Sequence, residues 1–212
     1  MKIIKPSVEF VTPINQDAVL KRLEEIGRTC YKSESKIVEG SAEKFVRMII
    51  KRGHNSVLEH CHLSVRIICD RGVSHELVRH RIAAYSQEST RYCNYSHDNF
   101  KGEITFIEPP FFVKDTPRYV WWQDACAYAE TAYFNLLEIG ATPEEARTVL
   151  PNSLKTEIVA TMDIAEWRHV LRERCSRAAH PQMREVMWMV LNHFADTMPA
   201  LFGDIREELK NV

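Results

Sequence analysis

The stretch RHRIAAYSQESTRY, residues 79 to 92, sets Arg79, His80 and Arg81 side by side, then closes a run of hydroxyls and amides with Arg91. Like charges so crowded repel one another unless they are solvated or faced by an anion. Between Arg71 and Arg91 every basic residue apart from histidine is arginine, and the same holds from Arg168 through Arg172, Arg174 and Arg177 to Arg184. Arginine presents a planar fork of donors that fits phosphate or the carbonyl edge of a pyrimidine, and it never loses its charge. Lysine-poor clusters of this kind point to shaped recognition of an anion. The alternative is a solvated helix face laced with Glu76, Glu88 and Glu173. SQESTR, Ser86 to Arg91, has no Gly or Pro and is not a P-loop. Its hydroxyls and Arg91 could still wrap a phosphate, or its serines could bond their own backbone in a turn. Ser89 lacks a GxSxG elbow, so it reads as a phosphate donor rather than a nucleophile.

GHNSVLEHCH bunches His54, Glu59, His60 and His62, a tempting metal site whose spacing fits no familiar ligand pattern. In SHELVRH, His75 and His80 stand about 140° apart around a helix, so the zinc-protease reading fails and no metal is assigned. Trp121, Trp122, Tyr128 and Tyr133 suit a core or a subunit interface, and Met183, Met187 and Met189 suit a core. Arg147, just before VLPNS, could reach a neighbouring site.

The elements that must carry these residues follow from periodicity. LSVRIICD and KTEIVATM read as strands, as do residues 7 to 13 and EITFIEP. Helices are expected over NQDAVLKRLEEIGRTC (capped by Asn15 or Asp17), SAEKFVRMIIKRG (stopped by Gly53) and GVSHELVRHR (capped by Ser74). Further helices are expected from Pro117 to Gly140, over TPEEARTVLP with a Thr142–Glu145 capping box, and over DIAEWRHVLRERC with a similar Asp163–Glu166 pair. PQMREVMWMVLNHFADTM supplies the last long one. Tyr92 to Gly102 is the one long loop expected. Strands and helices mix without a strict βαβ rhythm, which indicates one α+β domain over residues 1–212.

The chain has 212 residues, 45% of them hydrophobic and 27% charged, with net charge -1. That balance implies no general attraction to nucleic acid or membrane. No export signal and no membrane-length apolar run are visible, and the six cysteines form no CxxC pair, so a reducing cytoplasm is expected.

The order GHNSVLEH, RHRIAAYSQESTRY, AEWRHVLRERCSRAAHPQMRE resembles the flavin-dependent thymidylate synthases, whose central pattern is RHR, seven residues, Ser, then Arg-Tyr. Arg79-His80-Arg81, Ser89 and Arg91-Tyr92 fit it without gaps. The resemblance implies a mixed domain with a central, mainly antiparallel sheet flanked by long helices, in a homotetramer with sites shared between subunits. It implies methylation of dUMP at C5, with 5,10-methylenetetrahydrofolate giving the carbon and FAD, reduced by NADPH, giving the hydride. By position, His54, Ser56, Arg79, His80, Arg81, Gln87, Asp163, Ile164, Ala165 and His169 would hold the FAD. Glu76, Leu77, Val78, Arg79, Gln87, Glu88, Ser89, Thr90, Arg91, Arg147 and Arg174 would line the nucleotide. Ser86-Gln87 stands where some relatives have Asn-Glu, and Ala178 where some have histidine, with His180 displaced by two.

The residues agree with that chemistry. No Pro-Cys-Gln-like nucleophile segment is present. Electron density at C5 would instead come from stabilising a negative charge at N3 and O4, which a fixed guanidinium can do, and Arg174 is the candidate. Two rival readings use other features: a non-catalytic nucleotide or nucleic-acid binding module built on the same arginines, and metal-dependent hydrolysis by the 54–62 histidines.

Overall fold

The computed structural model describes residues 1–96 and 102–210. In chain order the elements are β1 Lys2–Ile4, β2 Ser7–Phe10, α1 Gln16–Thr29, α2 Ser41–Lys51, β3 His62–Asp70, α3 Arg71–Leu77, β4 Ala84–Gln87 and β5 Thr105–Ile107. Then follow α4 Pro117–Glu138, α5 Pro143–Ala146, β6 Lys155–Asp163, α6 Ile164–Arg174, α7 Pro181–Thr197 and α8 Pro199–Lys210. The expected Tyr92–Gly102 loop lies in part, at residues 97–101, outside the described residues.

β3 and β6 form because their apolar residues alternate. Leu63, Val65, Ile67 and Cys69 are buried on one strand, and Thr156, Ile158, Ala160 and Met162 on the other, the pattern of a sheet with one covered face. They run antiparallel: the Ser64 and Thr161 hydroxyls meet at 2.8 Å. Ile164 N–H donates to the Cys61 carbonyl at 3.0 Å, and Arg71 N–H to that of Leu154 at 3.1 Å. The full sheet has the order β2-β3-β6-β4, and a separate parallel pair joins β1 to β5 with Lys2 opposite Thr105.

Each central strand ends in an aspartate that caps the next helix. Asp70 accepts the Val73 N–H at 2.7 Å and starts α3; Asp163 accepts the Glu166 N–H at 2.8 Å and starts α6. This corrects the expected cap at Ser74, which lies inside α3, wholly buried, and donates to the Arg71 carbonyl. α3 also stops at Leu77, short of the RHR triplet.

The chain divides into two compact units. The first is Met1–Ser7, Ile67–Arg79 and Tyr85–Val159; the second is Val8–Arg66, His80–Ala84 and Ala160–Val212. In the first, Tyr95, Ile104, Phe106, Cys126, Tyr133 and Leu154 make the core. α4 supplies Cys126 and Tyr133 from one face and leaves Trp121 and Tyr128 exposed on another. In the second, Trp167 of α6 is wholly buried and its indole N–H donates to the Leu63 carbonyl at 3.0 Å. α8 was not foreseen: Pro199 ends α7 and opens a new helix that buries Leu201, Phe202 and Ile205. Arg168, buried in α6, holds α8 by donating to the Leu201 carbonyl and to Asp204. Among the described residues no helix is long and apolar enough to cross a membrane.

Candidate functional site

In the second unit several candidate residues gather on one face of α6. Glu166, His169 and Glu173 recur at helical spacing, so they share that face. Arg174, at its end, donates Nε–H to Nε2 of His80 at 2.9 Å, joining segments 94 positions apart. Nδ1 of His80 lies 3.7 Å from Oε1 of Glu166, and the two side chains are 7% and 10% exposed. The His169 ring meets that of His80 edge-on, centroids 6.0 Å apart, and its Nε2 lies 3.6 Å from Glu173. Burial and the adjacent Arg174 push the His80 pKa below its ordinary value. The imidazole is therefore neutral at pH 7, and accepting at Nε2 puts its proton on Nδ1. Burial pushes the Glu166 pKa the other way, above its ordinary value, with His169 opposing and Asp163 and Glu173 adding to it.

Two clefts share Asn55, Ala165 and His169 among their lining residues. One, of about 410 Å³, is walled by Lys51, Arg168 and Arg172; the other, of about 380 Å³, by Glu59, Ile82, Asp163 and Glu166. Gly53 opens this region with φ +69, a conformation glycine takes without strain. His54 precedes a 3₁₀ turn over Asn55–His60, and Ser56 lies within it. Ala165 lines both clefts, whereas the Ile164 side chain is wholly buried in the core. Arg81 is exposed on the strand side of His80. His80, His169 and Glu173 bring potential ligand atoms within 4.8 Å of one another. That grouping includes none of the 54–62 histidines, and the Arg174 guanidinium on His80 opposes a second cation there.

In the first unit the capping box at Thr142 forms in both directions: its hydroxyl accepts the Glu145 N–H at 3.3 Å, and Glu145 accepts the Thr142 N–H at 2.8 Å. Backbone and hydroxyl hydrogen bonds from Thr142 hold the Glu145 carboxyl below its usual range. This box fixes the short α5, which delivers Arg147. Arg147 donates to the Thr90 hydroxyl at 3.2 Å. Arg91 pairs with Glu144 at 3.3 Å, both side chains about half exposed, and its guanidinium lies over the Tyr92 ring. Ser89, Thr90, Arg91 and Arg147 are thus brought together. Ser89 turns the chain: its hydroxyl accepts the Arg91 N–H at 3.3 Å, and its carbonyl accepts the Cys93 N–H at 2.9 Å.

Other expected nucleotide residues are committed to protein partners. The Gln87 amide donates to Ser74 at 2.9 Å and Thr156 at 3.1 Å, and Glu88 pairs with Lys155 at 2.7 Å. The Leu77 side chain is in the core, and its carbonyl accepts the Tyr85 hydroxyl at 2.8 Å. Glu76 is half-buried, while Val78 and Arg79 are exposed. Sequence reasoning missed Glu144 as the partner of Arg91 and Glu166 as the neighbour of His80; in the sequence Glu166 reads only as half of a helix cap.

A family model described as thymidylate synthase complementing protein matches residues 14–200. A flavin-dependent thymidylate synthase from Pyrococcus furiosus is 36% identical over 170 residues, 80% of this chain and 69% of that one. The enzyme of that name from Mycobacteroides abscessus is 32% identical over 220 residues, covering 95% and 85% of the two chains. Among solved structures, the UMP/dUMP methylase PolB from Streptomyces cacaoi, bound with 5-bromo-dUMP, superposes with a TM-score of 0.78 over 100% of this chain and 99% of that one. At 23% identity that likeness shows the fold.

Proposed function

Since the chain belongs to the flavin-dependent thymidylate synthase family, and is an enzyme of that class, we propose that it converts dUMP to dTMP with 5,10-methylenetetrahydrofolate as carbon donor and FAD, reduced by NADPH, as hydride source. The methylene unit needs two electrons to leave as a methyl group, and the hydride supplies them. We assign the working form as a cytoplasmic homotetramer with sites shared between subunits.

The observation that carries the chemical reading is the 2.9 Å bond from Arg174 to His80. A guanidinium held by its Nε–H keeps a fixed direction, which is what stabilising an anion on the uracil N3 and O4 requires. Neutral His80 accepts that hydrogen bond without adding a second positive charge. Arg91 and Arg147 suit the phosphate dianion, approaching from different elements; Arg91 would exchange Glu144 for it.

The residues of the second unit fit a flavin dinucleotide: two adjoining clefts, with Lys51 and Arg172 suited to a pyrophosphate. His54, Ser56, His80, Arg81, Asp163, Ile164, Ala165 and His169 would hold it there, and Arg79 and Gln87 complete the expected set. When bound, reduced flavin supplies the hydride. Five of the six thiols are poorly suited to nucleophilic attack: burial pushes Cys126 to about 11 and Cys175 to about 12, and raises Cys61, Cys69 and Cys93 as well. Such thiols hold little thiolate at pH 7.

The test is an absorbance spectrum of the purified protein. It should show flavin bands that bleach with NADPH when dUMP is present, with dTMP formed on adding methylenetetrahydrofolate. A colourless protein that FAD cannot reconstitute would overturn the proposal.

A further inference from the structure

Among the described residues, two helix N-caps, Thr142 and Asp163, are followed three residues later by Glu, and only one closes the pattern. At Thr142 both halves form. At Asp163 the first half forms, with the Glu166 N–H on Oδ1 at 2.8 Å. The Glu166 carboxylate, however, faces His80 with Oε1 3.7 Å from Nδ1. Thr142 stands in a loop, where its N–H needs a partner, whereas Asp163 is the last residue of β6. The carboxylate at position 166 is therefore spare for another task, and it is placed, nearly buried, beside the histidine that accepts from Arg174.

We propose that Glu166 is a positioning residue for the methylation reaction: its carboxylate fixes His80 as the Nδ1–H tautomer, so that Nε2 accepts from Arg174 and directs the guanidinium. This rests on the reading of Arg174 given above. The two tautomers of a neutral imidazole are close in energy, so a carboxylate on one side decides between them, as in the aspartate–histidine pairs of hydrolases. At 3.7 Å the contact is electrostatic, and a small side-chain torsion would close it to a hydrogen bond. Without it, a proton on Nε2 would confront the Nε–H of Arg174, donor against donor. Glu173, whose charge also reaches His80, lies 3.6 Å from Nε2 of His169.

The experiment compares wild type with Glu166→Ala, Glu166→Gln and Arg174→Ala. In 15N-histidine NMR of the unliganded protein, His80, assigned with His80→Gln, should show a protonated Nδ1 and a bare Nε2. Glu166→Ala should give a tautomer mixture. Its kcat should fall about tenfold, with the dUMP KM and flavin content within about twofold of wild type. Glu166→Gln, whose amide oxygen still accepts from Nδ1–H, should recover most of that loss. A wild-type His80 protonated at Nε2, or a Glu166→Ala protein with unchanged tautomer and kcat, overturns the proposal. Should Glu166→Ala not fold, the wild-type tautomer and Glu166→Gln decide. If Arg174→Ala keeps turnover while the tautomer result holds, the Arg174 reading fails and the Glu166–His80 relation stands.

Discussion

The two units hold their arginines in opposite ways. In the first, Arg91 rests on Glu144 with both side chains about half exposed, and Arg147 rests on one hydroxyl. In the second, His80, Glu166 and Arg168 are nearly buried, and His80, which accepts from Arg174, has Glu166 beside it. An exposed ion pair is worth under about 1 kcal/mol, so an incoming dianion can displace it. A buried polar network resists rearrangement, because every lost contact leaves a desolvated group. One cluster is a surface that can be recruited; the other is set in advance.

The largest way to break this contrast is Arg174→Ala. Its dTMP formation should fall by about 10²–10³-fold while the flavin spectrum persists. Unchanged single-turnover rates would show that the preset cluster is not where the chemistry is promoted. Arg147→Ala probes the other side. Losing a charge-assisted hydrogen bond costs about 1.5–3 kcal/mol, so steady-state kinetics should show the dUMP KM raised about tenfold or more with kcat little changed. A collapse of kcat instead would mean that the first cluster is also preset.

Asp204→Asn sharpens the contrast through stability. Burial alone would raise the Asp204 carboxyl, yet the hydrogen bond and charge of Arg168 hold it below its ordinary value. A depressed acid stabilises the fold above its unfolded value, and that contribution is lost as pH falls through the lower folded value. Asp204 is 45% exposed, so the expected deficit of the variant is only about 1 kcal/mol at pH 7 by denaturant unfolding. The deficit should disappear in acid, below the ordinary aspartate value of 3.8. Smallest is Glu144→Gln: freeing Arg91 of its resting partner should lower the dUMP KM about twofold, read by equilibrium or kinetic titration.

Much of the scaffold was legible because it is local. The alternation of β3 and β6, the Asn15 cap and the Thr142 box depend on residues a few positions apart. β1, β4 and α8 were not. β4 is a short edge strand whose partner, β6, lies some 70 positions away, and β1 pairs with a strand about a hundred residues on; neither pairing leaves a mark in its own few residues. Ser74 was mistaken for a cap because serine so often is one, while Asp70 looked like the end of a strand and is both. In the site, the arginine clusters declared themselves by composition. Their acidic partners did not, since Glu166 and Glu144 acquire meaning only when His80 and Arg91 are folded against them.

The aspartate joints at the ends of β3 and β6 leave no slack between strand and helix, since each helix begins at the residue after its strand. Inserting or deleting one residue there would turn the whole helix by about 100° about its axis. At the second joint that rotation would carry Glu166, His169 and Arg174 off their face together. Both joints should therefore accept changes of side chain far better than changes of length, and variation in length among working versions of this chain should fall in the loops before α4 and α5 instead.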